Sequence, residues 1–416
     1  MIIAEKNKIL TEKVIKQTIK NSACEYTDMI LSRIKRGDIN VSDADDLLFY
    51  LAEISDLDFL QKYKKEIYSA IKTIINIIRE SMYEGDFRFL KYRGMFKGIG
   101  NLAVSFNVLH RKGFYLDNFN IFSRSVISNY FQENLNSFYT SAVCPHYYDS
   151  IYGVAGALNF ALDNKPYDYE QIDSLLRYLV DLSYVDENGY IRFNIKEKPA
   201  YEESVQAPYV DFGMAHGILG PLFVLVKAKK HNCYIHGQNT AIINLLNLYK
   251  EYAICDDSGI LSFPTQLQLN SNDNRGNYSF NCSWCYGNAC ILFTLFQIAL
   301  FLNDVELYHT YKTSLEQLLR CKEKYNLEEP IVCHGLSSIV QIETIKQFME
   351  GDFSDGRYSI SLCENIYSTL EKHNNYSCQK GYLENYSFLE GSAGVILSLI
   401  QSTGSMLSGS KLLMLR

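Results

Sequence analysis

Six short turns, most of them rich in glycine, punctuate the chain, and an apolar run with helical spacing follows each of them. The turns occupy positions 95–98, 153–156, 217–220, 287–290, 335–338 and 391–394. Between them lie amphipathic segments at 121–138, 169–182, 241–252, 305–319 and 360–370. Apolar residues that recur at helical intervals predict a helix with one apolar face. The pattern therefore predicts repeated pairs of helices, one apolar and one amphipathic.

The repeat varies in length but keeps one plan. Counted from the fourth position of each turn, successive turns are 58, 64, 70, 48 and 56 residues apart. Glycine in such turns permits positive φ angles and lets helix starts pack closely. Apolar helices suit an inner ring and amphipathic helices an outer ring, and a closed array of this kind has no exposed ends. The predicted fold class is therefore all-α.

Residues 1–90 continue the helical pattern ahead of the first turn. Helices are predicted at 9–19, at 30–34, at 47–54 and at 59–78, where isoleucines line one face of the last segment.

Two connections further along carry a different repeat. Residues 186–189 and 256–259 both have the pattern Asp-x-x-Gly and precede short apolar runs at 190–195 and 260–264. They predict turns that enter short strands, in small inserted elements near 184–210 and 254–280.

Composition and charge narrow the function classes. Apolar residues make up 47% and charged residues 21% of the chain, as in an ordinary globular protein. The net charge of −7 argues against nucleic acid or an anionic membrane as a partner. Eleven cysteines show no framework spacing, the start resembles no signal peptide, and the apolar stretch at 289–302 is too short to span a bilayer. We expect a cytoplasmic protein with reduced thiols, peripheral to the membrane only through partners.

Two of the turns carry residues that bind metals. The first reads Asn-Cys-Ser-Trp-Cys-Tyr-Gly and contains Cys285, and the second reads Cys-His-Gly and contains Cys333 and His334. A thiolate is favoured at a helix start, where free N–H groups offer partial positive charge. Two cysteines and one histidine could hold one Zn²⁺ and leave a fourth position open, as in catalytic zinc sites. The alternative is that these are small buried cysteines without a metal, because paired C-x₂-C spacing is absent.

Further polar candidates occupy other turns. His216 directly precedes Gly217, Asp149 lies four residues before Gly153, and Tyr286 follows Cys285. Because every turn opens an inner helix, a closed ring brings these residues together. His216 is a candidate acid or base. Alternatively, it is a histidine at a helix start whose ring nitrogens are simply hydrogen-bonded. Asp149 is a candidate partner for that histidine, or else a helix cap.

The Trp-Cys-Tyr-Gly turn, the Cys-His-Gly turn and the Gly-x-x-Gly turns between about Gly98 and Gly394 together resemble the lanthipeptide (lantibiotic) cyclase family, LanC. The resemblance implies an α/α toroid of seven inner and seven outer helices, with residues 1–416 forming a single domain and the seventh pair coming from the N-terminal part. It also implies a peptide-binding groove on the rim that bears the turns. The implied Zn²⁺ ligands are Cys285, Cys333 and His334.

The activity that the resemblance implies is lanthionine formation. A cysteine thiol of a precursor peptide adds to a dehydroalanine or dehydrobutyrine and forms a thioether ring. Zn²⁺ would activate the thiol, His216 would protonate the resulting enolate, and Asp149 would orient the histidine. Tyr286 would hydrogen-bond the enolate oxygen or would have only a structural role. The implied partners are the dehydrated precursor (leader plus core), a dehydratase and an ABC exporter in a membrane-associated complex.

Two of the chain's departures from the family lie just before Cys285. Asn281 and Cys282 stand where the family usually has Arg and often has Asp. A neutral amide stabilises an enolate less than a guanidinium does. An alternative function is therefore a catalytically weakened peptide-binding scaffold of the modification complex. Another enzyme on the same fold is a third possibility: glutathione addition would use the same chemistry, whereas a glycosidase needs two opposed carboxylates and the motif turns offer only Asp149.

Overall fold

The computed structural model describes residues 2–187, 189–196, 208–269, 275–278, 280–351, 363, 366 and 384–416. Its α-helices are α1 (Ile2–Arg36), α2 (Ala44–Ile54), α3 (Lys64–Tyr83), α4 (Ile99–Arg111), α5 (Asp117–Thr140), α6 (Pro145–Tyr148), α7 (Val154–Asp163), α8 (Tyr169–Leu182), α9 (Leu219–Lys230), α10 (Gln238–Glu251), α11 (Asn288–Leu302), α12 (Val305–Arg320), α13 (Leu336–Glu350), α14 (Ser392–Ser402) and α15 (Gly409–Leu412). The strands are β1 (Tyr209–Asp211), β2 (Ile254–Cys255), β3 (Leu261–Ser262), β4 (Gln266–Gln268) and β5 (Arg275–Asn277).

The chain divides into two compact units. The first contains residues 1–91, 96–123 and 327–416, and the second contains residues 92–95 and 124–326. In the first unit, α13 packs on α14, α14 on α2, and α2 on α4, while α1 and α3 cover this row. In the second unit, α7 packs on α9 and α9 on α11, with α8, α10 and α12 outside them. Each unit thus contains a row of inner helices and a set of outer helices.

Burial separates the two classes of helix. Among the described helices of ten or more residues, seven are buried along most of their length: α2, α4, α7, α9, α11, α13 and α14. In α8, by contrast, buried Ile172, Leu175, Leu176 and Leu179 form one stripe beside exposed residues. Outer helices predicted at 121–138, 169–182, 241–252 and 305–319 are confirmed as α5, α8, α10 and α12. The helix predicted at 360–370 lies outside the described residues, apart from Cys363 and Ile366, which are helical and buried.

The N-terminal prediction was wrong in its boundaries. The two helices predicted at 9–19 and 30–34 are one continuous helix, α1. Its sequence contains neither glycine nor proline, so nothing stops the helix before Gly37, whose φ is 71°. The helix predicted at 59–78 begins only at Lys64, because Asp58–Tyr63 form a 3₁₀ segment.

The turn glycines serve close packing more than unusual backbone angles. Gly287 and Gly391, the N-caps of α11 and α14, have φ values of −93° and −130°, which any residue adopts. A Cβ at Gly287 would collide with the backbone of Cys282 and Ser283. Within the six turns only Gly98 has a positive φ, of 66°. The helix start therefore lies directly against the turn that precedes it.

The inserted elements carry short strands, as predicted. Strands β1, β4 and β5 form an antiparallel sheet in that order, with Val210 opposite Leu267 and Leu267 opposite Gly276. Strands β2 and β3 form a hairpin, and Asp256 Oδ1 closes its turn by accepting from Ser258 N at 2.9 Å. The run at 190–195 is not a strand in the described residues and makes only isolated bridges. That residues 1–416 are a single domain stays a prediction.

Among the described residues, none of the helices has both the length and the apolar composition that spanning a membrane requires.

Candidate metal and acid–base site

Backbone hydrogen bonds join successive motif turns. Turns that are far apart in sequence lie side by side because a peptide N–H of one donates to a carbonyl of the next. The bonds run from Met95 N to Ile151 O (2.7 Å), from Ser150 N to Ala215 O (3.2 Å), from Met214 N to Cys285 O (2.8 Å) and from Cys333 N to Leu389 O (2.9 Å). Bonds between backbone atoms do not depend on which side chains are present. The turns can therefore carry different functional residues while keeping the same backbone arrangement.

Asp149 is completely buried and uses its two carboxylate oxygens for different purposes. Oδ1 accepts from the backbone nitrogens of Ile151 (3.0 Å), Tyr152 (2.6 Å) and Gly153 (2.8 Å), at the start of α7. Oδ2 lies 2.6 Å from His216 Nδ1. Asp149 is therefore both a helix cap and the partner of His216. A carboxylate with four partners is stable without solvent.

His216 is oriented by this contact. A carboxylate only accepts, so Nδ1 carries a proton and Nε2 faces away from Asp149. The imidazole side chain is 24% exposed. Burial lowers its pKa, but the hydrogen bond and charge of Asp149, helped by Asp211 and Cys285, outweigh burial and raise the pKa above the ordinary value. Protonation of Nε2 is therefore more favourable than in an ordinary histidine.

Three aromatic rings surround His216, and the sequence identified only one of them. The ring centroids of His146, Tyr152 and Tyr286 lie 6.0, 6.2 and 6.3 Å from that of His216. Tyr152 is nearly parallel to the imidazole, at 13°, and is 38% exposed. His146 and Tyr152 were missed, although they lie three residues before and after Asp149. Their symmetric spacing around a buried carboxylate was the available signal.

Asp211, also missed, holds the turn that carries His216. It is buried at the end of β1, its Oδ1 accepts from Gly213 N at 2.8 Å, and its carbonyl accepts from Ile218 N at 2.9 Å. A Cβ at Gly217 would collide with the same carboxylate. The inserted sheet therefore fixes the loop from which His216 projects, which links the insertion at 254–280 to the site.

The turn around Cys285 closes on itself. Asn288 N donates to Asn281 O at 2.9 Å, and Gly287 N donates to Ser283 O at 3.0 Å. Cys282 is buried, and its Sγ lies 3.6 Å from Lys324 O. Burial raises the pKa of Cys282 to about 12, so this residue stays a thiol. It acts as a small filler, whereas Cys285, 6% exposed, points its sulfur toward other polar groups.

Cys285, Cys333 and His334 form a group that could hold a metal ion. One ligand atom from each residue lies within 4.8 Å of the other two, and in the described part of the chain no other three His, Cys, Asp or Glu residues do so. Two sulfurs and one imidazole nitrogen are a donor set that suits Zn²⁺. Cys285 is buried, Cys333 is half-buried and His334 is exposed. The residues therefore fit a zinc site with three protein ligands.

Comparison with known proteins agrees with the architecture. A family model described as "Lanthionine synthetase C-like protein" matches residues 47–411. Among solved structures, the chain is similar to a nisin cyclase, with a TM-score of 0.79 and 19% identity over 95% of this chain and 98% of that one. This likeness confirms the predicted α/α toroid. No curated protein sequence matches the chain.

Proposed function

This chain belongs to the lanthionine synthetase C-like family, and we propose that it is a zinc-dependent lanthipeptide cyclase. The reaction is an isomerisation within a dehydrated precursor peptide. A cysteine loses its S–H proton, and its sulfur bonds to Cβ of dehydroalanine or dehydrobutyrine. The alkene electrons move to form an enolate, and Cα then takes up a proton. The product is a lanthionine or methyllanthionine thioether.

Cys285, Cys333 and His334 are the proposed zinc ligands. Zinc bound by them would lower the pKa of a substrate thiol and hold it as a thiolate at neutral pH. The donor set supports this assignment, because the two protein thiolates keep the site electron-rich. His334 is exposed, which supports the approach of a peptide to this group from solvent.

His216 is the proposed acid for the enolate. The observation that carries this proposal is its 2.6 Å contact with buried Asp149, in a turn whose Met214 and Ala215 nitrogens both donate to Cys285 O. The contact holds Nδ1 and favours the protonated ring, so Nε2 can deliver a proton to Cα. Asp149 is thus a positioning residue, and it is buried too deeply to touch substrate.

Tyr286 and Asn281 complete the proposed site, and their roles are assigned from their positions. Tyr286 lies beside His216 and is the proposed hydrogen-bond donor to the enolate oxygen. Asn281 takes the place of a cation, and its Oδ1 already accepts from Ser283 N at 3.3 Å and from Ser283 Oγ at 3.0 Å. Asn281 therefore shapes the turn, and the enolate is left to Tyr286 and His216. We further propose that the protein acts in the cytoplasm with a dehydratase and an ABC exporter.

The test is ring formation by the purified protein. Cyclisation leaves the peptide mass unchanged, so progress is followed by alkylating the thiols that remain and counting adducts by mass spectrometry. We expect one zinc per chain and faster thiol loss than in peptide alone. Cys333→Ala should lose both the zinc and the acceleration.

Other outcomes favour the alternatives. A wild-type protein that binds the dehydrated precursor without accelerating thiol loss would support the peptide-binding scaffold. Adducts of added glutathione, in place of rings, would support an intermolecular transferase. A wild-type protein without zinc and with every thiol free would rule out the proposed mechanism.

A further inference from the structure

Ser283 occupies a position that the proposed reaction does not explain. Its side chain is buried, with 1% exposure, two residues before Cys285. Its Oγ lies 3.0 Å from Asn281 Oδ1 and 3.5 Å from Cys285 Sγ. A serine hydroxyl has a single proton. Only one of these two acceptors can therefore receive it at any moment.

The hydroxyl oxygen is fixed by the turn and needs no ion to hold it there. Tyr286 N donates to Ser283 Oγ at 3.4 Å, and Gly287 N donates to Ser283 O at 3.0 Å. Asn281 Oδ1 also accepts from Ser283 N, so the two side chains close a small ring. The remaining freedom is rotation of the O–H bond between an amide oxygen and a sulfur.

We propose that Ser283 is a positioning residue of the metal centre, whose hydroxyl donates to the Cys285 thiolate while Asn281 competes for the same proton. The inference rests on the proposed zinc site. A metal-ligating cysteine is deprotonated, and an ionised acceptor makes a stronger hydrogen bond than a neutral amide does. Loading of the site therefore favours donation to Cys285, while Asn281 still competes for the proton.

This hydrogen bond has two consequences for the ligand. It orients the sulfur and stabilises its lone pairs, as outer-shell partners of metal ligands do. It also makes the Cys285 sulfur a weaker nucleophile beside a substrate whose alkene reacts with thiolates. Cys285 thus remains a ligand, and the substrate cysteine is the thiol that adds.

The experiment uses the whole chain loaded with Co²⁺ or Zn²⁺. In Co²⁺ protein, the sulfur-to-metal charge-transfer band reports the energy of the thiolate lone pairs. Ser283→Ala should move this band to lower energy and weaken zinc binding about 10- to 100-fold in competition with a chelator. Ser283→Thr keeps the hydroxyl and should restore both values. Ser338→Ala is the matched control, since Ser338 is buried in the other ligand turn and donates only to Gly335 O, at 2.7 Å.

A second variant predicts the opposite shift. Asn281→Ala removes the competing acceptor, so the band should move to higher energy and zinc binding should not weaken. A wild-type band in both Ser283→Ala and Asn281→Ala would overturn the inference and leave the proposed function standing. Wild-type protein that binds neither metal would overturn both. If Ser283→Ala fails to fold, the band of Asn281→Ala decides the question alone.

Discussion

The two halves of the candidate site are built differently. In the acid pair, buried Asp149 has all its partners within the chain, and the orientation of His216 follows from them. In the ligand group, two cysteines and a histidine bring their donor atoms within 4.8 Å of one another. Two thiolates at that distance would repel, and the proposed zinc ion would offset this repulsion. Under the proposed function, the chain alone prepares the proton donor, whereas a metal would prepare the nucleophile.

This difference predicts how each half responds to substitution. Changes in the ligand group should remove the metal and the thiolate together. Changes in the acid pair should leave metal binding intact and slow only the step that needs a proton. A set of variants that separates metal content from rate therefore tests whether the two halves are independent.

The largest effect is expected from Cys285→Ala. Loss of one of three ligands should release zinc and reduce ring formation to the rate of the peptide alone, because the substrate thiol is then mostly protonated. Metal analysis and thiol alkylation measure the two quantities. Cys282→Ala is the matched control, because this buried thiol lies outside the ligand group. The Cys282→Ala protein should keep its zinc. Zinc retained in Cys285→Ala would remove this residue from the ligand set.

His216→Asn should have the next largest effect. We expect ring formation to slow about 10²- to 10⁴-fold, the usual contribution of a general acid. Zinc content should be unchanged, which distinguishes this variant from Cys285→Ala. The control is His231→Asn, whose imidazole contacts Tyr167 at 2.6 Å beyond the end of α9. Equal loss of zinc and rate in His216→Asn would mean that the two halves are not independent.

Asp149→Asn should shift the pH dependence of the reaction. The acid is active while His216 is protonated, and Asp149 raises the pKa of that ring. Activity should therefore persist below this raised pKa and fall as the pH rises through it. The amide removes the charge, so the fall should move to lower pH and the rate at neutral pH should drop about tenfold. Initial rates between pH 5 and 9 test this, and an unchanged profile would contradict it.

Asparagine is chosen at position 149 because it should preserve the wild-type fold around this residue. Its Oδ1 can still accept from Ile151, Tyr152 and Gly153 nitrogens, as the carboxylate does. Alanine would remove the acceptor of these three backbone donors, at about 1–3 kcal/mol for each donor that is buried. A pH profile from Asp149→Ala would therefore mix stability with catalysis.

The sequence predicted the repeat better than the local detail. Glycine at each helix start identified the turns, because a Cβ there would collide with backbone, as at Gly287 and Gly391. The strand predicted at 190–195 failed for a physical reason: Ile191, Phe193 and Ile195 alternate because they are buried, without pairing as a strand. Alternation indicates burial on one side and does not require a neighbouring strand.

The site shows the same limit. His216 and the two cysteines could be found because each lies one or two residues before a turn glycine. For His146 and Tyr152 the sequence offered only their equal spacing around Asp149, which does not tell whether their rings face His216. The competition for the Ser283 proton was equally hidden, since it depends on distances of 3.0 and 3.5 Å within one turn.

The smallest effect is expected from Tyr286→Phe, which asks whether the acid half extends to the enolate oxygen. The ring packs closely against the backbone at Gly213, where a Cβ would lie 2.6 Å from Tyr286 Cδ1. Phenylalanine keeps that packing and removes only the hydroxyl, so the rate should fall about tenfold or less, the worth of one hydrogen bond. Gly213→Ala displaces the ring itself and should cost more. If Tyr286→Phe matches wild type while Gly213→Ala is slow, Tyr286 is a packing residue and His216 handles the enolate without it.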